Sequence, residues 1–91
     1  MLSNYLLEYL ITGTRGGPVR ARIIEMLSKH PQNMHRLAGS LDLDYKTVQH
    51  HIRVLMENNA ISAVHKGSYG ALYHLSPDMQ ESMKEFRRLL R

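Results

Sequence analysis

Lys46, Thr47, Gln49, His50 and Arg53 fall within eight consecutive residues, and each carries a group able to bond to nucleic acid. Lysine and arginine can neutralise phosphates or bond guanine N7 and O6, and glutamine can pair bidentately with adenine. Thr47 can donate to a phosphate or touch a thymine methyl. His50 suits a base edge when neutral and a phosphate when protonated. At about 100° of rotation per residue, Lys46, His50 and Arg53 lie opposite an apolar arc of Val48, Ile52, Leu55 and Met56. Gln49 and Thr47 take the two shoulders, and Tyr45 turns toward the apolar arc as a packing residue. The chemistry implied is the reading of a DNA duplex by one helix face. A second group, Lys66, Ser68 and Tyr69, sits where Gly67 and Gly70 allow close approach to a phosphate backbone. Arg20, Arg22 and Arg36 are further phosphate candidates.

These side chains need elements to carry them. A helix over about 3–12 is expected from Ser3 as N-cap and from Leu2, Leu6, Tyr9 and Leu10 at helical spacing. The glycines of residues 13–17 break it, and Pro18 suits the first turn of a second helix running to about Lys29, where Pro31 ends it. Asn33 and Asp44 can cap a third helix (34–41) and a fourth (45–58), separated by the turn Asp42-Leu43-Asp44. Met34, Leu37, Ala38 and Leu41 form the inner stripe of the third helix, with Leu43 filling the turn. Asn58-Asn59 stops the fourth. Two β-leaning runs, about 61–66 and 71–75, then flank a Gly-bounded reversal, which predicts a hairpin with Tyr73 in the core. Ser76-Pro77-Asp78 starts a last helix over about 77–90, carrying Met79, Met83, Phe86 and Leu90 as one stripe. A mainly α chain in this order, with a small β-hairpin, is a winged helix-turn-helix.

Composition narrows the function classes. Ninety-one residues with 43% hydrophobic content make one globular domain. Cysteine is absent, which removes disulfides, thiolate nucleophiles and thiolate metal sites. The first residues make a poor signal peptide and no apolar run is long enough to span a membrane, so a soluble cytoplasmic protein is expected. Twelve Lys and Arg stand against eight Asp and Glu, and the excess falls in the middle of the chain with all six histidines. Those histidines do not form a metal site, because the adjacent His50 and His51 point about 100° apart where helical ligand pairs need i,i+3 or i,i+4 spacing. No phosphate-cradling loop or nucleophile motif is present, so neither catalysis nor a cofactor is expected.

The outer helices carry more apolar surface than a 60-residue core can cover. Leu2, Leu6, Tyr9 and Leu10, with Met79, Met83, Phe86 and Leu90, are therefore candidates for a homodimer interface. An intramolecular helix pair is the other way to satisfy them. Residues 17–76 resemble the winged-helix core of ArsR-like prokaryotic transcription regulators. The resemblance rests on Gly17-Pro18-Val19-Arg20 with Ile23-Ile24 and Leu27, on Leu37-Ala38 with Leu41, and on Asp44 through Ile52 with Leu55. It continues through Asn59-Ala60-Ile61 and closes on Leu72 to Ser76. It implies that the helix after the turn reads double-stranded DNA, that the wing (66–70) touches backbone or minor groove, and that terminal helices (1–16 and 77–91) build a homodimer, by default a repressor. The family's C-terminal metal pattern and its cysteine motif are both missing here. Two rivals on the same fold are a protein–protein interaction module, suggested by the modest charge and Val54 on the fourth helix's exposed side, and a switch answering a metal or an unknown small-molecule effector.

Overall fold

The computed structural model describes residues 1–65 and 70–91. Helix α1 (Asn4–Ile11) is capped by Ser3, whose side chain accepts from the Leu6 N–H, and α2 (Gly17–Lys29) begins with Pro18 in its first turn. Helices α3 (Met34–Leu41) and α4 (Tyr45–Glu57) are capped by Asn33 and Asp44, each accepting one otherwise unpaired N–H at 2.8 Å, from Arg36 and Thr47. Between them Asp42 turns into the left-handed region (φ 55°), so that its own N–H and that of Leu43 close on the last carbonyls of α3. This left-handed residue makes the connection short enough for α3 and α4 to pack directly.

After α4, Asn59 also adopts positive φ (58°) and turns the chain into β2 (Ile61–His65), which pairs antiparallel with β3 (Ala71–Leu75) from Ile61↔Leu75 to His65↔Ala71. One strand was not foreseen. Gln32 and Asn33 form β1, which pairs with Tyr73 and Leu72, so β3 is the central strand of a three-stranded sheet ordered β1-β3-β2. Pro31 ends α2 by forcing extended backbone, and that short extended stretch finds the free edge of β3.

The last helix is not continuous. It divides into α5 (Pro77–Glu81) and α6 (Met83–Leu89) at Ser82. Buried Ser82 donates to the Asp78 carbonyl (2.9 Å) and accepts from the Leu2 N–H (2.8 Å), so a side chain takes up backbone bonds at the break. One core joins all the helices. It contains Leu7, Leu10 and Ile11 of α1, Ile23, Ile24 and Leu27 of α2, Leu37 and Leu41 of α3, Val48, Ile52 and Leu55 of α4, and Met79 and Phe86 from the end of the chain.

That core corrects the expected stripes. Leu2, Leu10, Met79 and Phe86 are buried within the protomer, so they cannot present an outer surface. Leu6 and Met83 are half-buried, while Tyr9 (51% exposed) and Leu90 (47%) remain outside. The inward face of α1 is instead Leu7, Leu10 and Ile11. The face of α4 is also rotated from expectation, for His51 is buried whereas Met56 is 42% exposed. Tyr45 is half exposed rather than packed, and Tyr73 is half-buried against the core.

The junction of α1 and α2 is tight enough to require glycine: a Cβ on Gly17 would collide with the Ile11 carbonyl. Gly17→Ala should therefore detach α1 from α2 and lower stability by about 1–3 kcal/mol, the range of core overpacking. Urea unfolding monitored by circular dichroism measures this, and an unchanged midpoint would refute the close approach. Ser82→Ala should cost about 1–3 kcal/mol in the same assay, because the buried Leu2 N–H loses its acceptor.

Candidate nucleic-acid interface

The polar side of α4 is set by its buried side. Val48, Ile52 and Leu55 enter the core, so Lys46, Thr47, Gln49, His50 and Arg53 are all exposed. Over the two helical turns from Lys46 to Arg53 the edge extends about 10 Å, a length that fits within a major groove. The structure thus brings together the five expected groove residues on α4. Lys66, Ser68 and Tyr69, the expected wing contacts, lie outside the described residues.

On one flank of this edge α4 borders the sheet. Gln49, Arg53, Met56 and Glu57 face Met34 and Tyr73 across a groove of about 400 Å³. Exposed Met56 supplies a short apolar strip beside Gln49 and Arg53. Burial, and then the neighbouring Tyr45, raise the Tyr73 hydroxyl above its ordinary value of 10.0, so it remains a neutral donor there.

On the other flank lies a buried polar assembly that periodicity did not reveal. Arg20, an expected phosphate candidate, is only 4% exposed and reaches three elements. Its Nε donates to the Leu10 carbonyl at the end of α1 (2.8 Å), one Nη to the Thr14 hydroxyl, and the other to Nδ1 of His51 on α4 (3.3 Å). Arg20 is therefore a brace and not a surface cation, whereas Arg22 and Arg36 are exposed. A signal for His51 existed. It follows Val48 by three residues and precedes Leu55 by four, so it shares the buried face, but its polar type hid it.

The brace constrains protonation. Because an arginine can only donate, His51 must accept through Nδ1, which requires the imidazole to lack a proton there. Burial, followed by the charges of Arg20 and His50, lowers the His51 pKa from its ordinary 6.5. Burial likewise lowers that of Arg20.

The order and packing of these elements define a winged helix-turn-helix, the class of DNA-binding domain in which a helix following a tight turn presents its outer face to a groove. The sequence matches the bacterial regulatory protein arsR family over residues 17–62, and the chain belongs to that family. Its helix-turn-helix is a DNA-binding domain of transcriptional regulators, a class that does not work by catalysis. No curated protein matches the sequence. Among solved structures, ZitR of Lactococcus lactis is 18% identical with a TM-score of 0.69, covering 78% of this chain and 50% of ZitR. The chain thus spans about half of the ZitR chain. Rv0081 of M. tuberculosis is 24% identical (TM-score 0.75), with 94% of this chain and 87% of Rv0081 covered. The transcriptional regulator YodB of B. subtilis is 14% identical (TM-score 0.77), with 99% and 88% covered. At these identities the likeness is one of fold. Among the described residues no helix is long and apolar enough to cross a membrane, and no group of three or more metal-ligating side chains is clustered.

The lowered His51 pKa gives a pH dependence whose sign is fixed. The unfolded chain takes up this proton at higher pH than the folded chain, so stability from the brace is full above about pH 6.5 and declines as pH falls below it. The carboxylate Asp44, held low by hydrogen bonding from Thr47, titrates below its ordinary 3.8 and so acts in a separate window. Urea midpoints measured from pH 7 to pH 5 should fall for the wild type and fall less for His51→Gln, which keeps an acceptor but does not titrate. Parallel slopes in the two proteins would show that His51 is not the source.

Proposed function

We propose that this chain is a transcriptional regulator that reads double-stranded DNA as a homodimer, with α4 in the major groove and the wing (66–70) on the backbone or minor groove. The observation that carries this reading is the division of α4. Its inward side is held by the core, while Lys46, Thr47, Gln49, His50 and Arg53 are all exposed along one edge. Gln49 and Arg53 are the base readers. Lys46, Thr47 and His50 hold the phosphates around them, and Lys66, Ser68 and Tyr69 extend the contact from the wing. Repression is the default outcome, since a dimer seated on an operator blocks access to the same duplex.

Of the residues that periodicity suggests for dimerisation, Tyr9 and Leu90 stay available to a partner, and Tyr5 joins them. Tyr5 (85% exposed) and Tyr9 (51%) sit one helical turn apart on α1, and Leu90 (47%) is exposed at the end of α6. Large aromatic surface left open at this spacing suits a second protomer, because tyrosine buries much area at small entropic cost. A cytoplasmic setting follows from the proposed role, as the DNA is there.

Operator selected from a random duplex pool provides the test. Gln49→Ala and Arg53→Ala should each weaken binding to that sequence by about 1–3 kcal/mol and relax preference at one position. Lys66→Ala should instead weaken all duplexes similarly and make the salt dependence shallower. If duplex affinity scarcely responds to salt and the double substitution Gln49→Ala/Arg53→Ala leaves it unchanged, α4 is not a DNA reader. For the dimer, Tyr5→Ser/Tyr9→Ser should halve the mass measured by sedimentation equilibrium while the helical signal is retained. A wild type that sediments as a monomer at the concentrations used for DNA binding would remove the dimer from the proposal.

A further inference from the structure

The flank of α4 opposite the sheet opens on a cavity of about 510 Å³. Its walls are Tyr9 of α1, Thr14, Arg15 and Gly16 of the following loop, Val19 and Arg20 of α2, and His50, His51 and Val54 of α4. Volumes of a few hundred Å³ are those of small-molecule sites, which combine apolar walls with a few convergent polar groups. Three properties separate this cavity from the other grooves of the molecule. No carboxylate lines it, whereas Glu25, Glu57, and Glu81 with Glu85 enter the linings of the other three described. Among its lining residues is Arg20, whose guanidinium has no carboxylate within ion-pair distance among the described residues and bonds only to a carbonyl, a hydroxyl and an imidazole. Two of the five guanidinium N–H groups remain beyond those three bonds. Finally, the apolar part of the wall is compact: the Tyr9 ring and two valines.

We propose that this cavity binds a small organic anion, a carboxylate or phosphate group on a compact apolar body, with the anionic end directed to Arg20 and Arg15 and the body against Tyr9, Val19 and Val54. A buried cation bonded only to neutral groups gains most from an oxyanion, because charge-assisted bonds in a low-dielectric site are about twice as strong as neutral ones. The negative end of α1 at Leu10 offsets part of the Arg20 charge, which is why Arg20 is stable there without a ligand. Arg15 is exposed at the mouth, where it can steer an anion inward. Gly16 packs closely on Arg20 and His51: a Cβ there would come within 2.6 Å of an Arg20 Nη and 2.7 Å of His51 Cε1. His50 belongs both to this wall and to the polar edge of α4, so an occupied cavity and the reading edge share a side chain.

The test needs no DNA, so its outcome is independent of whether α4 reads an operator. The full chain is titrated with benzoate, phenyl phosphate and uncharged benzamide while amide and imidazole resonances are followed by NMR. Saturable shifts at Thr14, Gly16 and the His51 ring, with at least tenfold tighter binding of an anion than of benzamide, are expected. Arg15→Gln should weaken anion binding about three- to tenfold. Val54→Trp, which adds bulk to the α4 wall of the cavity, should abolish it while amide dispersion is kept. The inference is overturned if benzamide binds as well as the anions, or if Val54→Trp stays folded and binds as tightly as the wild type. It is also overturned if those resonances move only on adding duplex DNA, which would assign the cations to the duplex backbone.

Discussion

The buried guanidinium of Arg20 is the contact on which the arrangement of this molecule turns. It joins the carbonyl end of α1, the loop that follows it and the inward face of α4 through three hydrogen bonds from one side chain. Apolar packing is non-directional and fixes orientation only through shape. A planar cation has donors in fixed directions. Arginine suits this role better than lysine because one flat group can meet three acceptors at once. Burying the charge costs solvation, which is offset by the partial negative charge at the end of α1 and by three hydrogen bonds. Removing any acceptor would leave a buried donor unpaired, so the brace is demanding of its partners.

The same brace explains why the reading edge can be polar throughout. Helix α4 carries three consecutive polar residues, Gln49, His50 and His51, and a helix so composed gains little from propensity. Its stability comes from Val48, Ile52 and Leu55 in the core, from the Asp44 cap and from His51 bound to Arg20. With those three anchors in place the outer side chains are released from any structural duty. None of Lys46, Gln49, His50 or Arg53 forms an ion pair among the described residues. Side chains without internal partners retain their donors for an external one, which is what a nucleic-acid contact requires.

Most of the architecture was legible from local signals because each signal acts within a few residues. Ser3, Asn33, Asp44 and Ser76 all cap helices as their types suggest, and the Gly-bounded runs pair as a hairpin from Ile61 to Leu75. The exposure of Lys46, Thr47, Gln49, His50 and Arg53 on α4 was legible for the same reason, as opposite faces of one helix follow from its period. What escaped was set by distant parts of the chain. Strand β1 is two residues long and exists only because β3 has a free edge to accept it. The break at Ser82 depends on the Leu2 N–H eighty residues away. The stripe assigned to dimer contacts was periodic, but periodicity cannot say whether an apolar face meets its own protomer or another. Leu10, Met79 and Phe86 meet their own. Arg20 and His51 escaped because a polar pair that satisfies itself in the interior has no counterpart in a hydrophobic pattern.

The position of the brace bears on how a dimer can read DNA at all. Half-sites in a duplex lie about 34 Å apart, one helical turn, and the two reading helices must match that separation. The protomer measures 37 × 25 × 21 Å, so the match depends on how each α4 is held relative to the element that meets the partner. In the proposed dimer that element is α1, through Tyr5 and Tyr9. The path from α1 to α4 is then short: Leu10 carbonyl, Arg20, His51. In that proposed dimer, a rotation at the α1 interface would reach α4 through these directional bonds as well as through the packed core. The cavity beside the brace shares Tyr9, Arg20 and His51 with that path. In the proposed dimer a ligand there would contact both ends of that link, and differential affinity for one half-site spacing over another is all that a regulator needs to couple occupancy to DNA binding.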